Sequence, residues 1–145
     1  MTLERKWIWL IVATAVLVVL GAKAIQQGWL TARPPLELND KPAILFFNNE
    51  KGCDCVLAIY RRADGQIAAW PAESRHGVPL HRIHLEQRPD LGKRYQIVRA
   101  PTLLLLDAGG NEVWRQDEVT SDWRIFDLET AEAQIVSLQR TGNAE

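Results

Sequence analysis

Apolar and polar positions change their period several times along this chain, and each change marks an element. Trp7 to Ala22 carries no charge and is apolar on every side, with Lys23 closing the run and Ala24 and Ile25 beyond it. It lacks the one-sided stripe of a surface helix. Counted through Ile25 it falls within the ~17–25 residues that cross a bilayer. Pro42 to Phe47 is a short apolar run bounded by Asn48 and Asn49, the pattern of a strand buried on both faces. From Val56 the apolar residues Val56, Ile59, Tyr60, Ala63, Ile67 and Trp70 follow a helical stripe that Pro71 ends, with Gly65 weakening and bending its interior. Leu80 to Leu85 alternates as a short strand. Pro89 opens about two helical turns that reach Tyr95. Thr102 to Leu106 is too apolar to have a wet face. Asp107-Ala108-Gly109-Gly110-Asn111 is a tight turn, and Glu112 to Val119 returns antiparallel. Leu128, Ala131, Ile135 and Leu138 form the apolar face of a last helix, Leu128 to Arg140.

That order of elements predicts an α/β domain with a central mixed sheet flanked by helices, preceded by one N-terminal transmembrane helix. The organisation reads as 1–25 anchor, 26–41 tether with the stiff Pro34-Pro35 step, and 42–145 folded domain. Arg5 and Lys6 precede the apolar run. The excess of positive charge on that side keeps the N-terminus in the cytoplasm and exports everything after residue 25. The expected location is the cell inner membrane, single-pass, with the C-terminal domain periplasmic. Trp7, Trp9 and Trp29 suit the two interfaces. Cleavage at the small-x-small step Ala22-Lys23-Ala24 is the rival, and both alternatives export the domain.

Composition narrows the function. The formal net charge of -1 advertises neither nucleic acid nor an acidic substrate. Charge is uneven, with nine Lys/Arg against five Asp/Glu in 51–100 and three against nine in 107–145. The chain has 2 cysteines, Cys53 and Cys55, separated by Asp54. Two thiols are too few for a disulfide scaffold or a four-cysteine zinc site, and export places them where disulfides persist.

Ile44-Leu45-Phe46-Phe47 before Cys53, the segment Tyr95-Gln96-Ile97-Val98-Arg99-Ala100-Pro101-Thr102-Leu103, and the turn Asp107 to Val113 together resemble the thioredoxin-like superfamily over about residues 40–120. The resemblance implies a thioredoxin-like fold, a cis bond before Pro101, and protein thiols and disulfides as substrates. It implies that Ala100 and Pro101 face the cysteines and pair with an extended substrate segment, with Gly52 and Asp54 beside them. It calls for no cofactor. A membrane electron carrier is a further partner that a tethered member of the family admits.

Cys53, in a loop entering a helix, has free backbone N–H groups to stabilise a thiolate and is the candidate nucleophile. Cys55, in the first turn, is the candidate resolving thiol. One residue between the cysteines, where the family has two, makes a smaller and strained disulfide ring, which favours the dithiol. Disulfide donation, isomerisation or exchange with a dedicated partner is therefore expected over general reduction. Asp54 is expected either to raise the Cys53 pKa or to cap the helix. Phe47 stands where the family has a buried acid, and Gly52 where it has a tryptophan; Glu50 and Lys51 are the nearby substitutes for acid–base work. Two alternatives remain open. One is a non-catalytic binding or assembly module. The other is a copper or soft-metal site on the two thiolates, with His76, His81 or His84 as a third ligand.

Overall fold

A computed structural model describes residues 3–26, 35–117 and 124–142. The chain divides into two compact units, Met1–Glu37 and Leu38–Glu145.

In the first unit, α1 runs from Leu3–Gln26. Its apolar side chains stand exposed, Leu17 at 69% and Val18 at 65%. Among the described residues no helix is long and apolar enough to cross a membrane.

The second unit holds β1 (Ala43–Asn48), α2 (Asp54–Ala69), β2 (Leu80–His84), α3 (Pro89–Arg94), β3 (Thr102–Leu106), β4 (Glu112–Gln116) and α4 (Leu128–Gly142). The strands form one mixed sheet in the order β2-β1-β3-β4. β1 pairs parallel with β2 and antiparallel with β3, and β3 pairs antiparallel with β4. Every residue of β1 and β3 is buried, as their unbroken apolar runs required.

Alternation along β1 divides the core. Ile44 and Phe46 face Ala63 and Ile67 of α2 and Ala131 and Ile135 of α4. Phe46 meets the ring of Phe126 edge-on at 5.8 Å. Phe47 points the other way, to Tyr95 at the end of α3, at 6.3 Å between ring centroids. Helices therefore cover both faces of the sheet.

Several boundaries moved from the pattern-based expectation. α2 starts at Asp54, because Cys53 takes the N-cap position in extended backbone and Asp54 sits favourably in the first turn. It runs unbroken through the exposed Gly65. Leu85 lies just past β2, in a turn, where its N–H still reaches Asn48 O at 3.0 Å. β4 ends at Gln116 after an irregularity in register at Leu105/Leu106; Glu118 and Val119 lie outside the described residues. Pro89 does stand at the start of α3. In the turn after β3, Asp107 Oδ1 accepts from Asn111 N at 2.8 Å, and Gly110 takes a positive φ of 78°.

Candidate active site

Two parallel strands ending side by side build the site. The register pairs Asn48 with His84, so the loop leaving β1 and the loop leaving β2 start as neighbours. The Glu86 carboxylate then accepts the backbone N–H of Glu50 at 3.1 Å and of Lys51 at 3.0 Å. In return Glu50 reaches across to His84, with Oε1 3.3 Å from Nδ1, close in distance but without hydrogen-bond alignment. Asn48 is buried; its Oδ1 accepts from Asn49 N at 2.9 Å, and its Nδ2 donates to Tyr60 O at 3.3 Å. The loop carrying the cysteines is thus fastened to β2 on one side and to α2 on the other. Gly52 keeps it close to the helix, since a Cβ there would lie 3.2 Å from Val56 Cγ1.

Cys53 is the N-cap of α2, and its carbonyl accepts the first helical hydrogen bond from Leu57 N at 2.9 Å. Both cysteines are free and exposed. Their thiols are near enough to interact, and the interaction is one-sided. A hydrogen bond from the Cys55 side chain, followed by the backbone N–H of Val56, holds the Cys53 thiol below its ordinary pKa. The same bond, then desolvation and the charge on Cys53, pushes Cys55 up. The amides of the first turn favour the Cys53 thiolate electrostatically, although the sulfur closes no full capping hydrogen bond. Asp54 does neither thing expected of it. It occupies the first turn and not the cap, and the Cys53 pKa moves down despite the neighbouring carboxylate, which faces water.

The Ala100–Pro101 peptide bond is cis. Thr102 Oγ1 donates to Arg99 O at 2.7 Å, tying the bend to the head of β3. A groove of about 610 Å³ has Val56 and Ile59 of α2 on its lining together with Val98, Ala100 and Pro101. Val98 is 90% exposed. Ala100 and Pro101 therefore line the same groove as the residue that follows Cys55.

Phe47 is fully buried, so the position carries a core aromatic ring and no acid. Among the described residues, no three His, Cys, Asp or Glu side chains gather as metal ligands. His76 lies in the turn before β2 and His81 and His84 on β2 itself, so none joins the cysteines in such a cluster.

Glu86 and Asp117, another residue of the groove lining, were not singled out in the sequence. Nothing in their own neighbourhoods distinguishes them. Glu86 becomes legible only through the parallel register of β1 and β2, which places its loop against the cysteine loop.

No protein-family model matches the chain, and no curated protein sequence matches it. Solved structures similar to it include thioredoxin 1 of Thermosipho africanus, 20% identical with a TM-score of 0.46, covering 70% of this chain and 98% of that one. The thioredoxin of Fasciola hepatica is 16% identical with a TM-score of 0.47, over 68% and 82% of the two chains. A thioredoxin of Nicotiana alata is 18% identical with a TM-score of 0.45, over 68% and 74%.

Proposed function

We propose that this chain is a membrane-tethered, extracytoplasmic thiol–disulfide oxidoreductase that donates or rearranges disulfides in protein substrates. Cys53 is its nucleophile and Cys55 its resolving thiol. The observation that carries this is the placement of two free, exposed thiols within one turn of each other at the start of α2, Cys53 at the N-cap and Cys55 in the first turn. The first-turn amides there favour a thiolate, and the neighbouring thiol stands where a resolving group is needed.

In the donating direction a substrate thiolate attacks the Cys53 sulfur of the oxidised pair. The Cys53–Cys55 bond breaks, and Cys55 leaves with the electron pair and takes a proton from water. A second substrate thiolate then attacks the substrate sulfur of the mixed disulfide and expels Cys53 as a thiolate. The substrate dithiol is oxidised to a disulfide and the pair is reduced to a dithiol. Stabilising the Cys53 thiolate favours that last departure, because low-pKa thiols leave faster. The short Cys-Asp-Cys ring favours the same direction. The apolar, exposed α1 supports the tether, since a soluble chain seldom leaves so much contiguous apolar surface in water.

Two measurements test this. Equilibration with glutathione buffers gives the reduction potential, expected above the roughly −270 mV of a thioredoxin; a lower value sinks disulfide donation. Cys55→Ser in cells accumulates mixed disulfides with exported proteins. Finding none, with both thiols inert to alkylation, supports a non-catalytic module instead.

A further inference from the structure

The thiol pair is open to a second chemistry, which goes beyond the exchange proposed above and needs only the reduced state. Both sulfurs are free and exposed, with Cys53 at the N-cap of α2 and Cys55 in its first turn. They share a hydrogen bond, the Cys55 side chain against the Cys53 sulfur. Two kinds of link can join such a pair. A disulfide brings the sulfurs to ~2.05 Å and demands a fixed torsion, which a ring with a single intervening residue meets only under strain. A linear bridge through a metal ion, with two thiolate–metal bonds of ~2.3 Å, holds them up to ~4.6 Å apart and imposes no such torsion. Sulfurs in hydrogen-bond contact stand nearer the second separation than the first.

We infer that Cys53 and Cys55 bind one Cu(I) ion between them as a two-coordinate bis-thiolate. Donor type and donor number together select that ion. Thiolates favour soft cations, Cu(I) among them. Among the described residues no third His, Cys, Asp or Glu joins the pair, so the tetrahedral set that holds a structural Zn(II) does not form. Asp54 stands between the cysteines, but its carboxylate is a hard donor and faces water. Binding replaces both S–H bonds by S–Cu bonds and passes two protons to water, while copper stays in its +1 state. The product carries one net negative charge. It lies at the N-terminal end of α2, where the first-turn amides, the Val56 N–H among them, favour negative charge. Lys51, exposed two residues before Cys53, adds a compensating cation.

The test uses the reduced full-length chain in nonionic detergent without oxygen. Cu(I) is titrated in competition with a chromophoric Cu(I) chelator, and one ion per chain is expected to be held. X-ray absorption at the copper edge is expected to count two sulfur neighbours and no nitrogen. Zn(II) offered in the same way is expected to be lost on desalting. Cys53→Ser and Cys55→Ser are each expected to weaken Cu(I) binding more than about a hundredfold, since even the outer partners of a metal ligand are worth ~10–100-fold. Failure to hold Cu(I) against the chelator overturns the inference, as do half an ion per chain, a third neighbour in the spectrum, or Zn(II) held as firmly. The spectrum is taken on the unmutated chain and decides even if a serine variant fails to fold. Glutathione equilibration of the metal-free chain is run in parallel. Copper held without thiol exchange overturns the redox activity alone, and exchange without copper overturns the metal site alone.

Discussion

Glu86 accepts the backbone N–H of Lys51 at 3.0 Å, two residues before Cys53, and so a carboxylate 35 positions away in sequence fixes the approach to the thiol pair. The accepted amides are exposed, so water replaces much of the lost bonding in Glu86→Ala, and the global cost stays near ~0.5–1 kcal/mol. The local effect is larger. Amide exchange at Glu50 and Lys51 is expected to accelerate, and disulfide exchange to slow several-fold. Glu86→Gln, which keeps a carbonyl oxygen, is expected to restore most of both. Unchanged amide exchange in the alanine variant refutes the clamp.

Because the Cys55 side chain is the largest cause of the low Cys53 pKa, the two single replacements at that position should differ. Cys55→Ala removes the donor, and the Cys53 thiolate should appear at higher pH, read from thiolate absorbance or alkylation rate. Cys55→Ser keeps a hydroxyl donor and should stay closer to the unmutated value. The sign follows from the bond, which stabilises the charged form and so lowers an acid's pKa. The same pKa for the alanine and serine variants would remove Cys55 as the cause.

Gln66 holds the approach to α4. Its Oε1 accepts from Ile125 N at 3.1 Å and Phe126 N at 2.9 Å, and its Nε2 donates to Phe126 O at 2.6 Å. Gln66→Ala leaves these part-buried groups unpaired and is expected to cost about 1–3 kcal/mol. For a domain of this size that is a fall in Tm of several degrees, visible by calorimetry. A shift under one degree would mean water fully replaces the side chain.

Arg88 beside Asp90 holds the Asp90 carboxyl down to about 2, first through the side-chain hydrogen bond and then through charge. A depressed acid stabilises the fold above its unfolded pKa, and that contribution disappears as pH falls through the folded value. The window here runs from about pH 4 down to about pH 2. The pair faces water, so its contribution is at most ~1 kcal/mol after screening. Arg88→Ala should flatten the acid limb of a stability–pH profile in that window and leave neutral pH nearly unaffected.

Residue pattern made much of the framework legible. The unbroken apolar runs of β1 and β3 announced strands with no wet face, and Pro89 marked the start of α3. The position of Phe47 was readable because burial needs only hydrophobicity and register. What stayed hidden depends on distant chain segments meeting. Glu86 is an ordinary acid in sequence; pairing of β1 with β2 gives it its role. Asp54 misled for a related reason. Adjacency to Cys53 made it seem the dominant charge, while the thiol two residues on and the first-turn amides set the balance.

The aromatic ring at position 47 has a consequence for how protons travel. With Phe47 sealed in the core and both sulfurs open to solvent, no acid stands at position 47 to store or return a proton for the pair. Each protonation is then a transaction with bulk water. Turnover should follow hydroxide activity and the thiols' own ionisation, without the extra inflection that a buried carboxyl imprints on a pH–rate curve. Such a pair, working as proposed, takes its rhythm from the acidity of its compartment.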